Sequence, residues 1–169
     1  MCSSDLPEGG LAYPEVYEVV AGQAHFLLQR PAVGGAAVQD VVLVEAGPRD
    51  KVLIPPGYGH VTVNAGGDWL VLANLVADGF QAIYEPYRLG RGAAYYEVAG
   101  RGFVANPRYG CVPALRRLPP RPYPELGLVP DTPLYRAFVA DPARFRFLRR
   151  PDACLPFLRE PGAGGGWQV

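Results

Sequence analysis

The sequence predicts an all-β domain, a sandwich or barrel, followed by a proline-rich C-terminal extension. Three observations predict it. Short apolar segments of strand length recur between residues 15 and 98, cut by turn residues. No amphipathic pattern of helical length interrupts them. After about Asn106 the composition shifts and prolines crowd the chain.

The elements follow in order. Val16–Val20 is the first strand, and Ala21-Gly22-Gln23 turns it into Ala24–Leu28. Gly34-Gly35 separates that segment from Val38–Val44. Val52–Ile54 ends at Pro55-Pro56-Gly57. Val61–Val63 ends at Asn64-Ala65-Gly66-Gly67, and Trp69–Leu75 follows. Each segment is rich in β-branched or aromatic residues, which pack well on a pleated surface. The stretch PALRRLPPRPYPELGLVP reads as an extended strap packed on a surface. DTPLYRAFVADPARFRFL is the helix candidate. Asp131 or Thr132 can cap it, Pro133 suits its first turn, and Leu134 and Phe138 share a face. Pro142 splits it into two short helices. The tail GAGGGWQV reads as loose.

Composition bounds the function. A chain of 169 residues that is 49% hydrophobic can bury one real core and is not disordered by composition. Lys+Arg and Asp+Glu are 16 each, so no basic excess points to nucleic acid or an anionic membrane. No apolar run reaches membrane-spanning length, and the first residues lack the basic and apolar regions of a secretory signal. Cys2, Cys111 and Cys154 have neither zinc-knuckle nor CxxC spacing. Reduced thiols in a cytoplasmic protein are the expectation. There is no P-loop, no GxGxxG after a strand and no GxSxG elbow.

The most informative stretch is PPGYGHVTVN, residues 55–64. Its P-x-G-x-x-H-x-x-x-N spacing resembles the second motif of the cupins. There a rigid turn delivers one histidine from a strand into the mouth of a small β-barrel. Glu15 and Gly22, with six residues between them, have the spacing that closes the first cupin motif. The family's glycine ahead of the second motif falls at Arg49, and the nearest glycine is Gly47. The resemblance narrows further. Glu15-Val16-Tyr17, Leu27-Leu28-Gln29, the turn from Pro55 to Gly66 and Ala77-Asp78-Gly79 look like the cupin-type glucose-6-phosphate isomerases of archaea and some bacteria. It covers roughly residues 13–110, and the C-terminal extension looks like that of a bacterial branch.

The resemblance implies a cupin double-stranded β-helix, or jelly-roll barrel, and an aldose–ketose isomerase acting on glucose 6-phosphate and fructose 6-phosphate. It implies Glu15 and His60 as ligands of a divalent metal (Fe, Mn, Ni or Zn), with Glu15 also beside the substrate's first two carbons. Tyr17 is two residues on, so it shares Glu15's face of the strand. Its hydroxyl could bond a sugar oxygen, or the ring could simply line the core. The family also uses a tyrosine near the Ala-Asp-Gly stretch, and Tyr84 is the nearest candidate. His60 taken alone could be a satisfied core histidine. His25 matches no ligand position, and an exposed or hydrogen-bonded strand histidine is the expectation for it. Arg116-Arg117 and Arg149-Arg150 could attract phosphate but read as solvated pairs beside prolines. A different cupin enzyme, such as another sugar-phosphate isomerase or an Fe²⁺ dioxygenase, is one alternative. A metal-free sugar-binding or structural cupin is the other.

The family's H-x-H pair of metal ligands falls at Leu6 and Glu8, and His25 and His60 are the only histidines. Residues 1–6, MCSSDL, match residue for residue the translation of the end of a widely used DNA-sequencing adapter, read from a GTG start. The expectation is that residues 1–6 are adapter-derived. Residues 7–105 are then an N-terminally truncated cupin barrel, and residues 106–169 are the strap, short helices and tail. A chain missing two histidine ligands is expected to be inactive or nearly so. The full-length parent is expected to work in cytoplasmic glycolysis or gluconeogenesis on a phosphorylated sugar. It is expected to be a homodimer, because such cupins pair their sheets and a long strap could embrace a neighbour.

Overall fold

The computed structural model describes residues 11–32, 37–158 and Trp167. The expectations placed on residues 1–6, Leu6, Glu8, Gly34-Gly35 and the tail other than Trp167 lie outside the described residues. Along the chain come β1 (Glu15–Ala21), β2 (Ala24–Pro31), β3 (Val38–Ala46), β4 (Lys51–Ile54), β5 (Gly59–Asn64) and β6 (Val71–Leu75). Then follow α1 (Glu85–Leu89), β7 (Tyr95–Val98), β8 (Gly102–Ala105), β9 (Leu115–Leu118), α2 (Leu134–Ala140) and α3 (Leu155–Leu158). Short 3₁₀ turns at Pro107–Tyr109, Pro124–Leu126, Pro142–Leu148 and Pro151–Ala153 complete the extension. The class is all-β, as the sequence predicts. Among the described residues no helix is long and apolar enough to cross a membrane.

Two sheets carry the fold. One has the order β4-β1-β6, the other β5-β2-β3-β9, and β7-β8 is a separate hairpin. Among the described residues no pairing joins the two larger sheets, so they form a sandwich rather than a closed barrel. Alternation along β1 sorts its side chains. Val19 packs between the sheets with Val52, Ile54, Phe26, Leu28, Val42 and Val44, and Tyr17 lies against that cluster. Val16 points the other way, with Leu53, into a cluster built by Leu126, Leu128, Leu134, Phe145 and Phe147 of the extension. The second sheet is covered on its outer face too. Leu27 and Val41 pack there against Tyr87, Ala93 and Ala94 from the segment of α1 and the β7-β8 hairpin. The result is a four-layer stack with the sandwich interior at its centre.

The extension departs from its expected form in its strap and in the cap of its helix. The strap's LRRL is β9, a parallel edge strand on β3, rather than a strap lying over the surface. Neither Asp131 nor Thr132 caps α2. Pro133 holds the cap position with no side-chain cap of its own, and Asp131 bonds Arg49 at 2.6 Å. The capping anion comes instead from β1: Glu18 Oε2 accepts the Leu134 backbone N–H at 2.6 Å. Pro142 does end the helix, and Phe138 packs on the same cluster as Leu134, as expected. The five-residue α1 is too short to leave a helical period in the sequence.

Glu18 and Lys51 face each other across β1 and β4 and are buried together. Lys51 Nζ donates to Glu18 Oε1 at 3.0 Å, to the Arg49 carbonyl at 3.0 Å and to the Pro130 carbonyl at 3.3 Å. All three ammonium donors are thus used. Two residues before Lys51, Arg49 has φ +76°, the left-handed region, in the turn that carries the chain from β3 to β4. The resemblance implies glycine at this position, and glycine adopts that conformation without a Cβ penalty.

Two predictions follow from this layer. Lys51→Ala leaves the Glu18 carboxylate buried without its counter-charge, and urea denaturation should show a loss of about 3 kcal/mol. The double variant Glu18→Leu/Lys51→Met should recover most of it; no recovery would mean that lost packing dominates. Arg49→Gly relieves a left-handed side chain and gives up an exposed ion pair of little worth, so the urea midpoint should rise by up to about 1 kcal/mol equivalent. An unchanged or lower midpoint would show that this turn carries no strain.

Candidate active site

Two distant pieces of sequence meet inside the sandwich. Glu15 opens β1, opposite Ile54 at the end of β4. His60 lies in β5 opposite Leu28 of β2, on the other sheet. The turn before it, Pro55-Pro56-Gly57-Tyr58, is closed by Tyr58 N–H to the Pro55 carbonyl at 3.2 Å, with Gly57 at φ +82°. At the far end of β1, Gly22 has φ +87°, and a Cβ there would sit 2.4 Å from the Trp69 carbonyl oxygen. Glycine at both turns is therefore a steric requirement, which is what the two motif spacings encode.

Glu15 and His60 are both buried, and Oε1 of the one is 3.7 Å from Nδ1 of the other. The Tyr17 hydroxyl donates to Glu15 Oε2 at 3.1 Å. The Tyr17 ring stands edge-on to the His60 ring at 5.1 Å between centroids. Glu15 is thereby held from one side by a phenol and faces an imidazole on the other. His60 Nδ1 is a buried nitrogen without a hydrogen-bond partner. Burial pushes the His60 imidazole down from its ordinary 6.5 to about 4, because the charged ring would lose its hydration. At neutral pH the ring is therefore uncharged, with a lone pair available.

A neutral imidazole and a carboxylate are donors that borderline divalent metals accept. Their 3.7 Å separation can be spanned by two bonds of about 2.1 Å. The two residues fit such an ion as part of a ligand set. Among the described residues no third His, Cys, Asp or Glu joins them.

The other sequence candidates fall elsewhere. Tyr84 precedes α1 and is half exposed, and no hydrogen bond or ring contact brings it to Glu15, Tyr17 or His60. Its segment packs on the outer face of the second sheet, away from the sandwich interior. The tyrosine that does lie against the Ala77-Asp78-Gly79 stretch is Tyr13, whose hydroxyl would be 3.4 Å from a Cβ at Gly79. Tyr13, Glu15 and Tyr17 alternate, and that alternation is the signal that could have found it. His25 is a hydrogen-bonded strand histidine on the outer face, 2.8 Å from Glu97 Oε1 of β7. The arginine pairs are all engaged by carboxylates: Arg116 by Asp40, Arg117 by Glu45, Arg149 by Asp78 and Arg150 by Asp152. Among the described residues Cys111 is exposed and Cys154 is buried, both as free thiols. Burial pushes the Cys154 thiol up to about 12, so it is inert as a nucleophile.

The depressed His60 pKa makes a stability prediction. The unfolded chain binds the proton at 6.5 and the folded chain only at about 4, so between those values unfolding takes up a proton. The contribution is complete above pH 6.5 and is lost as pH falls to about 4, a total of about 3 kcal/mol. Urea midpoints should fall more steeply over that window in the wild type than in His60→Gln. Parallel curves would show that His60 is hydrated and titrates normally.

A family model described as glucose-6-phosphate isomerase (GPI) matches residues 7–111, more than half of the chain. No curated protein sequence matches the chain.

Proposed function

The chain belongs to the glucose-6-phosphate isomerase family, and from that premise we propose that Glu15, Tyr17 and His60 are the working groups of its aldose–ketose isomerase site. The substrates are glucose 6-phosphate and fructose 6-phosphate. The observation that carries the reading is the buried Glu15 carboxylate held between the Tyr17 hydroxyl and the His60 ring, inside the sandwich.

The reaction needs a base that takes the proton from C2 and returns it at C1, through a cis-enediol. A buried carboxylate with one oxygen fixed and the other turned towards a neutral imidazole is suited to that exchange. The Tyr17 hydroxyl bonds Oε2 and so fixes the orientation of the carboxylate. Exclusion of water keeps the enediol from leaking protons to solvent and strengthens every polar contact made there. Glu15 and His60 would hold a divalent metal (Fe, Mn, Ni or Zn), which when bound polarises the carbonyl and neighbouring hydroxyl as a Lewis acid. Among the described residues only these two would hold it, and two ligands bind such an ion weakly, so turnover by the 169-residue chain should be slow.

The test uses the double variant Leu6→His/Glu8→His, which supplies an H-x-H pair at the family's spacing. Calorimetry with Mn²⁺ or Zn²⁺ should show tighter binding than in the parent chain. A dehydrogenase-coupled assay should show isomerisation that a chelator removes. Glu15→Gln in that background should lower kcat by about 10²- to 10⁴-fold, the range for loss of a general base. Undiminished turnover in Glu15→Gln would remove Glu15 from the mechanism.

A further inference from the structure

The turn that delivers His60 is tied to the far edge of its own sheet. Tyr58, two residues before His60, is buried, and its hydroxyl donates to Asp40 Oδ2 at 2.6 Å. Asp40 lies in β3, across β2 from the turn. Arg116 of β9 grips the same carboxylate with two bonds, Nε to Oδ1 at 2.9 Å and Nη2 to Oδ2 at 2.6 Å. Val42 pairs with Leu28 and with Arg116, and Leu28 pairs with His60, so one register row runs through all four strands. The lacing formed by Tyr58, Asp40 and Arg116 runs beside that row along one end of the sheet. Trp167 closes the other side of Tyr58, edge-on at 5.4 Å between centroids, and its indole N–H donates to the Tyr123 hydroxyl at 3.2 Å.

We propose that Tyr58, Asp40 and Arg116 are positioning residues for His60, so that the extension beyond residue 111 is a working part of the site. The reasoning is geometric. An imidazole at the start of an edge strand takes its direction from the turn before it, and an edge strand has one neighbour to hold it. β5 is such an edge. A phenol anchored to a bidentate carboxylate–guanidinium pair replaces the missing neighbour with directional bonds. The Asp40 carboxyl is built for that load: burial works to raise it, but the bonds from Arg116 and Tyr58 outweigh burial and hold it below its ordinary value, so it stays an anion. Arg116 is the residue whose role changes most, from a solvated surface charge to the far anchor of the site.

This inference rests on the isomerase reading for its functional meaning but not for its test. The test is proton NMR of the purified 169-residue chain, read on the cross-peak between the Tyr17 and His60 rings. Tyr58→Phe keeps the ring and removes the bond to Asp40; Arg116→Gln removes the far anchor. Both should lose the cross-peak, and Arg116→Lys should recover part of it. Arg117→Gln, next door and exposed, should leave it intact. Where isomerisation is measurable, Tyr58→Phe should lower kcat by about 10- to 100-fold with KM nearly unchanged, as a small misplacement of a site group does. A folded Tyr58→Phe and Arg116→Gln with an intact cross-peak would overturn the proposal, even if their melting temperatures fall. Should Tyr58→Phe not fold, Arg116→Gln decides by the same peak. Cross-peak loss together with no isomerisation by the Leu6→His/Glu8→His chain would leave the positioning role standing and remove the isomerase reading.

Discussion

Everything in this molecule depends on β1 being buried on both faces. In most two-layer sheets one face of a strand meets water, and alternation separates apolar from polar residues. Here alternation separates two buried environments. Glu15, Tyr17 and Val19 turn into the sandwich, while Val16 and Glu18 turn under the C-terminal layer. A slip of one residue would exchange the two sets and turn the Glu18 carboxylate onto the face that holds Glu15, Tyr17 and Val19. The buried Glu18–Lys51 pair opposes that slip. Its charges are costly to bury and are compensated only when the two residues stand directly opposite, as they do. We read the pair as a device for register more than for stability.

The C-terminal layer is bound into the domain through the same strand. Glu18 supplies the anion at the start of α2, where unpaired backbone N–H groups favour negative charge. Lys51 reaches the Pro130 carbonyl at the entry to that segment. Two polar residues thus join the β-sheet to the helix while the apolar cluster around Leu128, Leu134 and Phe147 supplies the burial. On the opposite side the β7-β8 hairpin is joined to the second sheet by His25 to Glu97 and by Gln29, whose Oε1 accepts the Ala94 N–H at 2.7 Å. In each case apolar packing provides the attraction and a few polar bonds choose the position.

Much of this was legible in the chain. The strands up to β6 are marked by turn residues whose backbone geometry leaves little choice, with Gly22 and Gly57 at positive φ. Glu15 and His60 were legible because motif spacing carries information about turns, and turns decide where a strand's first side chain points. Tyr17 followed from alternation alone. Tyr84 was chosen by nearness in sequence to the Ala-Asp-Gly stretch, and nearness along a loop says little about position in space. Tyr13 occupies that neighbourhood instead, since the segment ahead of β1 runs past Gly79. The cap of α2 was sought next to the helix, but the acceptor is 116 residues away in sequence.

Sequence by itself determined the class, the first six strands, the two glycine turns and the pairing of a carboxylate with an imidazole, because periodicity and local backbone sterics are written in neighbouring residues. Only the tertiary structure decided that β9 adds to the sheet, that Arg116 faces inward to Asp40, that His25 belongs to a hairpin clasp, and that Arg49 bears a conformation glycine would take more easily. Those outcomes depend on what a side chain finds across a layer. A charge beside prolines reads as solvated until a buried carboxylate on another strand is there to meet it.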